Sequence, residues 1–190
     1  MKSLSNIHQT FSRKQLRDNA IKRYEKERLK NKLLATHGEH DFVLVLDNLK
    51  SGFNVPKLFR SAEAFGAHEV HLINIGVFDP APAKGAFRKI KAKFHEDFGT
   101  CYMELKQDGH QIFALDFDTD KILGDVNFPE KSAFILGNEE LGLSFDLKIY
   151  PDIQKIKIQQ FGKIQSLNVS IAGSIVMYEY LRQLNADSDS

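Results

Sequence analysis

The sequence predicts an α/β fold, a parallel sheet with helices on both faces, and three observations predict it. Short apolar runs rich in β-branched and aromatic residues, FVLVLDNL, HEVHLINI, HQIFALDFD and SAFIL, recur along the chain between segments of helical spacing or loop composition. Residues 41–75 read strand, loop, helix, strand, the β-α-β unit whose two strands must be parallel. The 190 residues, 42% of them hydrophobic, suit one globular domain with an appendage and a sizeable core.

Composition narrows the function classes. No run approaches the roughly 18 apolar residues of a membrane span, and the polar opening MKSLSNIHQTFSRKQ lacks a signal peptide's apolar centre, so a cytoplasmic protein without membrane contact is expected. Cys101 is the only cysteine, which rules out an internal disulfide and any CxxC site. His68 and His71 straddle a strand-like EVHLI, where helical ligand spacing does not apply; they read as surface histidines, and no metal is expected. The chain lacks GxGxxG, so nothing supports dinucleotide binding of the doubly wound kind.

The near-neutral total of +1 hides an asymmetry. Residues 1–38 hold ten Lys and Arg against three Asp and Glu, about +7, which leaves about −6 for the remainder. From Ser12 to Leu34 the arm lacks Gly and Pro and reads as helix, with a thin apolar stripe of Leu16, Ala20, Ile21, Tyr24, Leu29 and Leu33. If that stripe docks on the body, Arg13, Lys14, Arg17, Lys22, Arg23 and Lys26 face outward, toward an RNA backbone or simply toward solvent. Residues 36–40 read as the linker, so a basic helical extension over 1–38 is expected before a main domain over 39–190.

Within that domain FVLVLDNL is a buried strand, and KSGFNVP is a loop in which Gly52, Asn54 and Pro56 supply turn chemistry. Pro56 suits a first helical turn, which predicts a helix over 57–65 stopped by Gly66, and HEVHLINI follows as a strand. Pro80 and Pro82 argue against a regular element, and Lys84, Arg88, Lys89, Lys91 and Lys93 form a second cationic cluster, RNA-facing or merely solubilising. Residues 101–108 read as a helix ended by Gly109, HQIFALDFD as a buried strand, and SAFILGNEELGLS as a strand running into a glycine turn.

The last segment, FGKIQSLNVSIAGSIVMYEYLRQ, joins a polar loop to an unusually apolar helix. Apolar positions from Val169 fill more than one face, and Ala172, Gly173 and Ser174 permit close backbone approach. Ser166 and Asn168 are N-capping residues, placed where free backbone N–H groups take a capping oxygen or a ligand.

Three stretches, LDNLKSGFNVPKLFRSAEAFGAHEVHLINI, FILGNEELGLS and KIQSLNVSIAG, resemble in order the three signatures of the SpoU/TrmH branch of the SPOUT RNA methyltransferases. The resemblance covers most of the chain, from Phe42 to Arg182, and three ordered signatures are far more specific than one. It implies a parallel sheet whose C-terminal segment threads a deep trefoil knot, a homodimer, and transfer of a methyl group from S-adenosyl-L-methionine to a ribose 2′-hydroxyl of tRNA or rRNA.

Residue by residue, the resemblance gives Asn54, Arg60, Glu139, Ser166 and Asn168 to the catalytic site, with Glu139 accepting hydrogen bonds there or fixing Arg60. It gives Leu115, Gly137, Ile158 and Leu167 to the cofactor, held largely through backbone groups. On residue grounds alone Arg60 reads as a surface helix residue and Glu139 as a turn carboxylate. Guanidinium stays protonated below about pH 12, so Arg60 is expected to clamp the phosphate and orient the hydroxyl rather than act as a free base. Two departures stand out: Gln159 follows Ile158 where the family usually has proline, and Asn138 replaces a commoner small residue. The missing proline motivates one rival, an RNA-binding relative without catalysis; a base methyltransferase of the same superfamily is the other. Arg88 and Lys89, with the N-terminal arm, are the expected RNA contacts.

Overall fold

The computed structural model describes residues 12–164 and 166–188. Six strands, β1 (His40–Asp47), β2 (Ala67–Ile73), β3 (Lys91–His95), β4 (Gln111–Leu115), β5 (Ser132–Leu136) and β6 (Gln154–Ile156), form one sheet in the order β3-β2-β1-β5-β4-β6. Every neighbouring pair is parallel, as the β-α-β opening requires. Helices α1 (Arg13–Leu34), α2 (Asn54–Ala64), α3 (Phe98–Gln107) and α4 (Val169–Ser188) cover it.

Strand alternation sorts the side chains into two cores. Phe42, Leu44, Leu46, Phe113, Phe134 and Leu136 face the side holding α2 and α4, together with Leu58, Phe59, Val176 and Tyr180. Val43, Val45, Ile112, Ala114, Ala133 and Ile135 face the other side, where Phe98, Cys101 and Leu105 of α3 meet them. Being apolar on both faces explains why these strands read as continuous hydrophobic runs.

Several boundaries moved, each for a local reason. Helix α2 begins at Asn54, three residues earlier than expected, so Asn54 belongs to its first turn and not to the loop. Helix α3 begins at Phe98 because Asp97 accepts from the Thr100 backbone N–H and caps it. The expected cationic loop runs through 3-10 turns at Ala81–Ala83 and Ala86–Arg88 into edge strand β3. There Lys93 turns inward to pair with Glu69 at 2.7 Å and with Glu104.

Helix α1 docks on the body through fewer residues than its stripe suggested. Tyr24 is buried against Phe78 and Phe87, and buried Asn31 donates from Nδ2 to the carbonyls of Phe87 and Ile90. Leu16, Leu29 and Leu33 are exposed. The expectation that His71 lies on the surface is overturned. Alternation puts Glu69 and His71 on the same inward face, and His71 is fully buried because Glu69 and Cys101 meet its ring nitrogens. His68, on the opposite face, is half-buried.

Gly173 lets α4 lie against α2 and β5. A Cβ there would sit 2.6 Å from Leu58 Cδ2 and 2.7 Å from Leu136 Cδ1, both on buried side chains. Glycine inside a helix usually costs about 1 kcal/mol relative to alanine. Here the contact reverses that balance, and Gly173→Val is expected to destabilise the fold by about 1–3 kcal/mol through overpacking, read as a lower urea midpoint. Ser61 Oγ and Ser174 Oγ, 2.9 Å apart, complete the same seam. Among the described residues no helix is long and apolar enough to cross a membrane.

Candidate active site

A cleft of about 1220 Å³ opens beyond the carboxyl ends of β4, β5 and β6, where ligands of open α/β sheets collect. Leu115, Leu136 and Ile156 close its floor. The turn after β5 and residues 156–160, 164 and 166–169 form its walls, and Gly137, Glu139, Ile158, Ser166, Leu167 and Asn168 all line it. The expected cofactor residues thus share one cleft with three of the expected catalytic ones, Glu139, Ser166 and Asn168.

The turn after β5 is held by side chains from elsewhere in the chain. Buried Asp47, at the end of β1, accepts from Ser144 N and Ser144 Oγ, each at 2.6 Å. Burial pushes the Asp47 carboxyl above its ordinary value, and these two bonds oppose the shift. Asn138 makes a second staple that sequence reasoning missed. Its Nδ2 donates to the Asn48 carbonyl at 2.6 Å, while its Oδ1 accepts from the backbone of Glu140 and Leu141. The tendency of Asn to bond backbone two or three residues on was the available signal. The apparent departure at this position therefore ties the β1–α2 connection to the turn.

Gly137 is required by the turn itself. A Cβ at this position would lie 2.8 Å from Gly142 C and 2.9 Å from Gly142 O. Asn138 and Gly142 exchange backbone hydrogen bonds at 2.8 and 3.0 Å, so the returning chain occupies the space a side chain would need. The close approach is made by the protein's own backbone.

Three distant stretches meet at the mouth of the cleft. Asn54 Nδ2 donates to Glu139 Oε1 at 2.7 Å, and Asn168 Nδ2 donates to Asn54 Oδ1 at 3.2 Å. Asn168 also caps α4, its Oδ1 accepting from Ser170 N. Ser166 is exposed in the loop and does not cap the helix. Glu139 carries no cationic partner among the described residues; of its two expected roles it accepts a hydrogen bond within the site, from Asn54, and does not pair with Arg60.

Arg60 is not brought into this cluster. Because Asn54 is already helical, six residues place Arg60 about 240° around the axis and about 9 Å along it. It is exposed, lies outside the cleft lining, and makes no hydrogen bond or ion pair among the described residues. Of the expected RNA contacts, Lys14, Arg17, Lys22 and Arg88 are exposed; Arg23 pairs with Asp79 at 3.1 Å and Lys89 with Glu63 at 2.5 Å. The Arg13 side chain lies outside the described residues.

Gln160 supplies an unmet polar atom. Its Oε1 is shut off from solvent without a donor among the described residues, and the residue lines the cleft. A ligand carrying an amino donor fits that oxygen, since a buried acceptor left unpaired costs about 1–3 kcal/mol.

Residues 41–178 match the SpoU rRNA Methylase family. The tRNA (guanosine(18)-2′-O)-methyltransferase of Escherichia coli strain K12 is 29% identical over 147 residues, covering 75% of this chain and 64% of that protein. The chain therefore spans somewhat less than two thirds of that relative. The SpoU methyltransferase AviRb of Streptomyces viridochromogenes, in complex with the cofactor AdoMet, superposes with a TM-score of 0.69 at 25% identity over 77% of this chain and 59% of that one. The A. aeolicus TrmH/SpoU tRNA modifying enzyme superposes with a TM-score of 0.70 at 22% identity over 86% of this chain and 85% of that one.

Proposed function

The chain belongs to the SpoU rRNA methylase family, and on that premise we propose that it methylates a ribose 2′-hydroxyl of tRNA or rRNA, with S-adenosylmethionine as donor. The hydrogen bonds joining Glu139, Asn54 and Asn168 carry the proposal, because they assemble one site beside a ligand-sized cleft from residues as far as 114 positions apart. Two features of the cleft fit this donor. Among the described residues, Gln160 Oε1 finds no hydrogen of the kind that an adenine amino group offers, and the Glu139 carboxylate has no cation to neutralise it.

When bound, the cofactor supplies a methyl group made electrophilic by its sulfonium. The chain's own residues orient the acceptor. Asn54 is fixed by Glu139 on one side and Asn168 on the other, so its position is set before substrate arrives. Ser166, exposed and lining the cleft, orients the ribose. Arg60 clamps the phosphate with paired N–H donors and orients the 2′-OH; pre-alignment removes much of the bimolecular penalty.

Arg60 reaches a cleft in a second copy of the chain. Its turned-away position supports this, as does an apolar stripe on α4 where Ile171 and Tyr178, 53% and 60% exposed, flank half-buried Ile175. The same stripe departs from the expected burial of α4 on several sides, and pairing of two copies would cover it. The C-terminal segment of each copy threads a loop of its own chain as a deep trefoil knot, and the exposed arginines and lysines of α1 extend the RNA surface. The setting is the cytoplasm, where these RNAs reside.

The deciding experiment incubates the protein with total tRNA and rRNA and methyl-labelled cofactor, then digests the product to nucleosides. Label in 2′-O-methyl nucleosides is expected, with its parent RNA identifying the substrate. Label confined to bases, or none with a folded protein that binds RNA, would sink the assignment.

A further inference from the structure

Away from the cleft, β2, β3 and the first turns of α3 bring together a group of ligating side chains. We propose that His71, His95 and Cys101 form a buried site for a divalent, thiophilic cation of the zinc class, with Glu104 as fourth ligand.

Geometry comes first. His71 Nδ1 is 3.0 Å from His95 Nε2 and 3.2 Å from Cys101 Sγ, and the three donor atoms lie within 4.8 Å of one another. Around a tetrahedral zinc ion, N and S ligands stand about 3.3–3.6 Å apart, so a few tenths of an ångström open the site. Glu104 Oε2 is 4.0 Å from His95 Nε2, near enough to close the fourth position. The side chains of His71 and His95 are 0% and 5% exposed, and Cys101 is fully buried.

Hydrogen-bond accounting points the same way. Glu69 Oε1 lies 2.7 Å from His71 Nε2 and accepts the hydrogen bond of its N–H, which leaves His71 Nδ1 with a single lone pair. Two donors, the His95 ring and the Cys101 thiol, both crowd that lone pair, and it serves only one well. A cation accepting lone pairs from all three atoms removes the conflict. The Glu69–His71 contact then becomes the carboxylate–imidazole support common behind metal-bound histidines.

Charge also balances. Glu69, Glu104 and Lys93 sum to about −1; on binding, the Cys101 S–H gives its proton to solvent as the sulfur–metal bond forms, and the added +2 brings the cluster to neutrality. His71 keeps its Nε2 proton, His95 binds as the neutral ring, and no electrons move. Such an ion pins the edge strand β3 to β2 and α3. Spacing could not reveal it, because residues 71, 95 and 101 sit on three different elements.

The test uses full-length protein stripped with chelator and titrated with Co2+ as a spectroscopic stand-in. One Co2+ per chain is expected, with a sulfur-to-cobalt charge-transfer band and a tetrahedral ligand-field spectrum, both displaced by Zn2+; Zn2+ should also raise the melting midpoint. Cys101→Ser should lose the charge-transfer band, and Glu69→Gln should weaken Zn2+ binding about 10- to 100-fold. A folded wild-type protein showing no charge-transfer band and an unchanged melting midpoint overturns the site, whatever the variants do. Methyl transfer is not read in any arm, so the outcome is independent of the proposed activity.

Discussion

Arg60→Ala is expected to lower the rate of methyl transfer by roughly 10²- to 10³-fold or more, the usual consequence of removing one aligned electrostatic group from a reacting centre. Cofactor affinity should be unchanged, since Arg60 lies outside the cleft lining. Stability should also hold, because the side chain is exposed and without an ion pair among the described residues. Single-turnover methylation and calorimetric titration with S-adenosylmethionine separate the two effects. Wild-type turnover in the variant would remove Arg60 from the mechanism. Arg60→Lys should recover little, because an ammonium cannot reproduce the paired, planar donors of a guanidinium.

Gly137→Val acts on the opposite half of the site. Every atom its Cβ would strike is backbone, Gly142 C at 2.8 Å, Gly142 O at 2.9 Å and Leu143 N at 3.1 Å, so the turn must move and carry the cleft wall with it. A displacement of that size is expected to weaken cofactor binding roughly 100-fold. Unaltered affinity would show that this turn does not shape the cofactor site. Gly137→Ala, with the same first carbon and less bulk, should show a smaller loss in the same direction if the valine variant fails to fold.

Co-expression of the two variants then tests where the site is assembled. If Arg60 of one copy serves the cleft of the other, a mixed dimer holds one intact site and one doubly damaged one. Random pairing should restore about one quarter of wild-type activity. If both parts belong to one subunit, mixing restores nothing and the cross-subunit placement fails.

Much of the fold was legible along the chain because it rests on local periodicity. The strands through Val43, Val70, Ile112 and Phe134 could be read from β-branched apolar runs, and α4 starts at Val169 where the small and apolar residues begin. The misreadings fell where a single polar residue could go either way. His71 and Lys93 looked like surface chemistry and are turned inward, because Glu69 meets His71 from the same face of β2 and pairs with Lys93 together with Glu104 of α3. Asn138 looked like a weakness in a signature and is a staple to Asn48.

What the sequence determined by itself was the order of elements, the two-sided apolar character of the strands, and the identity of three stretches with site chemistry. Only the tertiary structure decided that Glu139, Asn54 and Asn168 touch, that Arg60 points away from them, and that two histidines and the lone thiol converge under α3. The reason is range. Periodicity reports which way a side chain faces relative to its own helix or strand, whereas contacts across 85 and 114 residues follow from the order in which six strands pair.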